Sequence, residues 1–258
     1  MRITLFKIPV SAKTCASCMP IEEITLIHPK TMIKRIVLPL IVTGAALLFA
    51  SCAAVMTKER VAKLPAPIRT ALEPMMARQD AIAKKFTSGT KKMLEGYATV
   101  ADAIGLKKEA ATLRAEANLL NSGSTFSDTR KAISRTDGIV KDVRNQMAKS
   151  KGVAVASKEK FVQGVRTKNE AYQIQSALAV EASMEAVRGI ALIAKASPLD
   201  KVLLTTTLDP LFFLSKDVPR FLDAERKFEL ICQEYAKEQK IVLPKTNLAT
   251  PKLAKADY

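Results

Sequence analysis

Apolar residues recur at spacings of three and four through most of the chain, and alternating runs long enough to make a strand are missing. This periodicity predicts helices almost throughout. Val61 to Ala83 carries Pro65, Pro67 and Pro74 and reads as a tether running into a first helix that begins near Pro67 or Pro74. Gly89 to Asn121 holds two helical stretches divided near Gly105, and Asn121-Ser-Gly-Ser-Thr is a loop. Ser127 or Asp128 can cap the next helix, which runs to about Lys149, where Lys151-Gly152 ends it. Ser157 to Ala196 is the longest uninterrupted pattern, roughly 60 Å if straight. Its apolar positions are Phe161, Val165, Tyr172, Ala179, Val187, Ile190 and Ala194, with alanine filling much of the rest.

Ser197-Pro198 stops that helix and opens a very apolar segment, Leu199 to Leu214. Two readings are open for it: a helical hairpin plugging the bundle, or a partner or ligand patch formed by Leu203, Leu204, Leu211, Phe212 and Phe213. Asp217 to Lys240 is amphipathic, with Val218, Phe221, Leu222, Phe228, Ile231, Cys232 and Tyr235 on one face. Residues 244–258 lack a periodic apolar face and are expected to be disordered. The fold expected is all-α: an antiparallel helical bundle over residues 67–243 with one long central helix, preceded by a cleavable signal segment and a tether.

Between Ile36 and Thr57 no residue is charged, and Lys34-Arg35 stands directly before this stretch. The bulky apolar part, Ile36 to Phe49, matches the roughly 7–15 residues of a signal h-region and then gives way to Ala50, Ser51, Cys52, Ala53 and Ala54. A spanning helix has no need of such a change. Leu48-Phe49-Ala50-Ser51-Cys52 resembles the lipobox of bacterial lipoproteins. That resemblance covers only Met32 to Cys52; it implies cleavage between Ser51 and Cys52, lipidation of Cys52, and attachment to a membrane of the cell envelope through its acyl chains. Phe49 departs from the more typical leucine at its position. Ala53 after the cysteine, rather than aspartate, implies the outer membrane in a bacterium with two membranes. On this reading residues 32–51 are the signal peptide and 52–66 the anchor and tether. Met32-Ile33-Lys34-Arg35 is a better start for a signal than Met1, so residues 1–31 are read as an extension from a misassigned start.

The leader carries His28, the only histidine, together with Cys15 and Cys18; beyond Cys52 the chain keeps a single further cysteine, Cys232. Ser-His-Asp and Cys-His nucleophiles and imidazole-bound metals are thereby excluded from the exported chain. No catalytic, cofactor-binding or metal-binding residue is assigned. Cys232, on an apolar helix face, reads as a small core residue. Ser88-Gly-Thr-Lys91 matches S-x-x-K, but the companions S-D-N and K-T-G are missing, so it carries no catalytic assignment. Glu181 and Glu185, one turn apart, read as a solvated face or as partners of Arg188.

The formal charge of +16 is spread in pairs: Lys84-Lys85, Lys91-Lys92, Lys107-Lys108 and Arg226-Lys227. At an envelope address, nucleic acid is not the expected counterpart. Anionic lipid or an acidic envelope polymer is, beside the plain role of lysine in solubilising helix exteriors. The function expected is that of a membrane-anchored, non-enzymatic lipoprotein with a structural or interaction domain, partnered by an unknown envelope protein or such an anionic surface. The alternatives are an envelope-acting enzyme using carboxylate and lysine chemistry, and a helical binder of apolar ligands.

Overall fold

The computed structural model describes residues 59–149, 155–246 and 248–254, and among them there is no strand. The signal segment, Ser51, Cys52 and the first part of the expected tether lie outside the described residues. Seven helices follow Pro65: α1 (Ala66–Ala103), α2 (Lys107–Leu119), α3 (Phe126–Lys149), α4 (Val155–Ala194), α5 (Pro198–Thr207), α6 (Asp209–Lys216) and α7 (Val218–Glu238). The all-α bundle expected from periodicity is the fold observed, but its axis is a pair of long helices rather than one. α1 spans 38 residues, running through Pro74 and past Gly89, and lies against the 40-residue α4.

The pairing of α1 with α4 is antiparallel, as the contacts Arg78–Glu185, Lys92–Glu170 and Gly96–Lys168 show. Its closeness rests on glycine. A Cβ on Gly96 would stand 2.7 Å from the Lys168 amide nitrogen, and one on Gly164 would stand 2.7 Å from that of Val100. Backbone meets backbone at both points, leaving no room for even a methyl group. A buried polar pair supplements this seam, with Gln175 Nε2 donating to Thr90 Oγ1 at 3.1 Å, and Gln79 Nε2 ties α1 to the end of α5 by donating to the Thr207 carbonyl at 2.9 Å.

Gly105, with φ +87°, lets the chain reverse between α1 and α2. Asp102 then ties three helices, facing Lys107 at 2.5 Å, Arg114 at 3.3 Å and Lys160 at 3.4 Å. The Lys107 hydrogen bond, aided by Lys160, outweighs desolvation and holds the Asp102 carboxyl at about 2. α3 begins with a reciprocal cap at Thr125, two residues before Ser127, the earlier of the two caps expected from sequence. Thr125 Oγ1 accepts from the Asp128 amide, while the Asp128 carboxylate accepts from the Thr125 amide and hydroxyl.

In α4 the buried stripe runs Phe161, Val165, Lys168, Tyr172, Gln175, Ala179, Ala182, Ala186. Val187 and Ala194, expected on that face, are exposed. The stripe keeps seven-residue spacing throughout, Phe161, Lys168, Gln175, Ala182 and Val165, Tyr172, Ala179, Ala186, the repeat that holds one seam against a partner helix, and Val187 and Ala194 fall one position off it. The α5–α6 segment is the hairpin of the first reading, with Leu208 and Phe212 packed over Gly189 of α4.

Two ends of the domain depart from expectation. Val61 and Leu64, placed in the tether, are buried against the bundle, and the Ala62 carbonyl accepts from Arg69 at 2.9 Å. Residues 244–246 and 248–254, in the segment expected to be disordered, lie along α4 without helical structure. Asn169 donates to Thr246 at 3.2 Å, Tyr172 to the Ala249 carbonyl at 3.1 Å, and the Ala254 amide to Ser183 at 3.0 Å. Leu243, Leu248 and Leu253 pack on the core. Their spacing of five matches no helical face, so helical periodicity misses what an extended strap can bury.

Candidate functional site

Two features of the bundle carry chemistry beyond packing: an ionic centre inside it and a basic pocket on its surface. The centre forms where α4 and α7 cross the α1 face. Lys168, at 0% relative exposure, points from the buried stripe of α4 toward Glu225 and Glu229 of α7, at 1% and 3%. Its Nζ is 3.3 Å from Glu229 Oε2 and 3.9 Å from Glu225 Oε2. The Tyr97 hydroxyl donates to the other oxygen of Glu225. Phe228 closes one side, its ring centroid 5.4 Å from the ammonium and 4.8 Å from the Tyr97 ring. The ammonium and both Oε2 atoms make no hydrogen bond of good geometry. Attraction between opposite charges in a medium of low polarity therefore holds the cluster.

Two carboxylates share this single buried ammonium, and the titration of Glu225 reflects it. Burial pushes Glu225 above its ordinary range, with Lys168, the Tyr97 hydrogen bond and Arg144 pulling the other way and Glu229 adding to the rise. Burial, then Glu225, pushes the Tyr97 phenol well up. A carboxyl whose folded value is raised stabilises the fold below the unfolded value of about 4.3, and that contribution is lost as pH rises through the folded value. The difference in unfolding free energy between the parent and Glu225→Gln is accordingly expected to fall as pH rises from about 4.3 toward neutrality. Urea titrations at several pH values measure it. A difference that grows with pH would show that Glu225 is held ionised.

A cavity of about 50 Å³ adjoins the centre, bounded by Tyr97, Glu225, Arg144, Thr136 and Thr90. That is well below the roughly 300–1,000 Å³ of small-molecule sites. Cys232 is buried beside the cluster and burial pushes its thiol up, in keeping with a core residue. Glu185, read as a solvated or Arg188-paired carboxylate, is buried, and one of its oxygens meets both Arg188 at 2.6 Å and Arg78 at 2.7 Å.

The basic pocket encloses about 430 Å³ between α1 and the loop that joins α2 to α3. Lys84, Ser88 and Lys91 line one wall, and Asn121, Ser122 and Ser124 the other. The S-x-x-K pair therefore does converge on one pocket, in company with a second lysine. The loop is braced from within: the Gly123 amide donates to Asn121 Oδ1 at 2.8 Å, the Asn121 amide to Ser124 Oγ at 2.9 Å, and Ser124 Oγ to the Leu119 carbonyl at 3.1 Å.

The segment read as a possible partner or ligand patch is mostly turned inward. Leu204 and Leu211 are fully buried, while Leu203, Phe212 and Phe213 are half-buried. Phe213 is met edge-on by Phe126 at 5.4 Å and covered by Arg130 at 4.3 Å from its ring. The apolar surface left open there is Leu199 and Val202 on α5, 86% and 68% exposed. Ser51 and Cys52 lie outside the described residues.

Lys168, Glu225 and Glu229 were not singled out from the sequence, yet a signal for them exists. The sequence Val218, Leu222, Glu225, Glu229, Cys232, Ala236 follows three- and four-residue spacing, so both carboxylates stand where apolar residues are due. No helix among the described residues is long and apolar enough to cross a membrane. Comparison with protein-family models, with curated proteins and with solved structures gives no match.

Proposed function

We propose that this chain is an envelope lipoprotein, anchored through acyl chains on Cys52, whose helical bundle is a non-enzymatic interaction domain. The observation that carries the reading is the sequence Leu48 to Cys52, a bulky apolar residue and small residues ahead of a cysteine, at the end of an uncharged stretch that follows Lys34-Arg35. More than one acyl chain makes membrane attachment stable where one is marginal. The counterparts that suit the bundle are anionic lipid or an acidic envelope polymer at its lysines, and an envelope protein at Leu199 and Val202. The outer membrane is the address Ala53 favours in a bacterium with two membranes.

The enzymatic alternative asks for convergent carboxylate, lysine and tyrosine groups, and the centre around Lys168 supplies them. Their enclosure argues for a structural role, because Lys168, Glu225 and Glu229 are all but fully buried and the adjoining space of about 50 Å³ is well below that of small-molecule sites. The apolar-ligand alternative finds little support in the α5–α6 hairpin. The cavity beside Phe212 and Phe213 is also lined by Arg130, Asp209, Lys216 and Asp217.

Expression in a bacterium, from Met1 and from Met32, tests the anchor by intact mass and partition into membranes. The expected product begins at an acylated Cys52 and is membrane-bound, and Cys52→Ala abolishes both properties. A chain that keeps residues 32–51 and stays membrane-bound despite Cys52→Ala would overturn the lipoprotein reading in favour of a retained anchor.

A further inference from the structure

The pocket between α1 and the α2–α3 loop brings together features that select a ligand by chemistry. Its volume, about 430 Å³, lies within the range of small-molecule sites. Lys84 and Lys91 are seven residues apart on α1, two turns or about 10 Å along the axis, with Ser88 between them. Both lysines therefore face the same space from either side of Ser88. No carboxylate lines the pocket, and among the described residues neither ammonium has an acidic partner. Their neighbours differ: Lys92 is paired with Glu170 at 2.6 Å and Arg135 with Glu116 at 2.7 Å. Two unneutralised ammoniums at one concave site favour a doubly charged anion over a single carboxylate.

The opposite wall adds polar groups suited to a hydroxylated ligand. Ser122 faces the pocket, as Ser88 does, and the bracing of the loop means that little ordering is needed on binding. The lining holds no aromatic ring on which a nucleobase could stack, which disfavours a nucleotide. A phosphate monoester carries a charge of about −1.5 to −2 at neutral pH. Lysine binds it as a point charge without the planar demands of a guanidinium.

We propose that this pocket binds the phosphate monoester of a small polyol, with Lys84 and Lys91 neutralising the phosphate and Ser88 and Ser122 meeting the hydroxyl-bearing part. The inference deepens the reading of the bundle as an interaction domain by giving it a ligand class and a location. The same glycerol phosphate chemistry is offered by a free ester and by a lipid headgroup.

Isothermal calorimetry on the full chain in neutral detergent tests the site. The probes are glycerol 3-phosphate, inorganic phosphate, glycerol, and lysophosphatidic acid, a lipid that keeps one free glycerol hydroxyl, dispersed in that detergent. Binding of glycerol 3-phosphate or lysophosphatidic acid is expected to weaken at least about tenfold in Lys84→Gln/Lys91→Gln. Lys201→Gln, which removes an exposed charge elsewhere, should leave it unchanged. Binding of the free ester would identify a soluble ligand, and binding of lysophosphatidic acid alone would identify a headgroup. No binding of either, binding indifferent to the double substitution, or equal affinity for inorganic phosphate would overturn the assignment. The titration reads the pocket and the mass at Cys52 reads the anchor, so the two can fail separately.

Discussion

Lys168→Met is expected to lower the unfolding free energy of the bundle by about 3–5 kcal/mol, the range for removing one partner of a buried ion pair. Methionine nearly fills the volume of the lysine stem, so the loss comes from charge rather than from a cavity. Without the ammonium, the Glu229 carboxyl is left at 3% exposure with its Oε2 unbonded and its oppositely charged partner gone. Neutralising that carboxylate as well should undo most of the damage, because replacing a buried pair by uncharged groups of similar volume is often nearly neutral. Urea denaturation of Lys168→Met and Lys168→Met/Glu229→Gln measures both. If the single variant lay within about 1 kcal/mol of the parent, the centre would contribute little to holding α4 against α7.

An added methyl group at Gly96 or Gly164 is the second substitution with a large expected effect, a loss of about 1–3 kcal/mol for each alanine variant. At Gly164 the new Cβ would face the Val100 amide nitrogen at 2.7 Å, Val100 Cγ2 at 2.8 Å and the Gly96 carbonyl at 3.0 Å. At Gly96 it would face the backbone of Lys168 itself. Backbone atoms cannot rotate away as a side-chain tip can, so the helices must part along their most extensive contact. The two positions share one contact region, and the double variant should therefore fall short of the sum. Gly138→Ala supplies the control: nothing lies within 4 Å of the position, in the middle of α3, and helix propensity predicts a gain of up to about 1 kcal/mol. Thermal melts and urea titrations of the set decide the matter. Equal stability of parent and Gly164→Ala would mean that the α1–α4 seam is looser than described.

The consequences of Lys168 and of the glycines are linked. Because Gly96 lets α1 settle directly on the backbone at Lys168, the ammonium is directed toward α7 and away from water. A wider seam would let water reach the centre and weaken its electrostatics, so Gly96→Ala is also expected to reduce the pH dependence attributed to Glu225.

How far this structure was legible depends on the range of the interaction. The helices α3, α4 and α7 were readable within one to three residues because caps, prolines and periodicity act within a turn or two of chain. The hairpin at Leu199 to Leu214 was one of two open readings, since a run of leucine and phenylalanine looks the same whether it plugs a core or faces a partner. The C-terminal strap was missed because Leu243, Leu248 and Leu253 become a face only when the chain is extended along α4. Of the pocket, sequence offered the Ser88–Lys91 pair but neither Lys84 as its companion nor the loop at Asn121 as the opposite wall.

The sequence by itself determined the all-α class, the order and approximate ends of the main helices, the absence of histidine beyond Cys52 and the basic balance, all of which follow from local spacing or composition. Only the tertiary structure decided that α1 and α4 form the central pair, that Lys168 meets Glu225 and Glu229 in the interior, and that Lys84 and Lys91 share a pocket with a distant loop. Helix periodicity says which face of an element is buried, but not against which other face. That choice depends on how side-chain volumes and glycine gaps fit together across more than fifty residues of intervening chain.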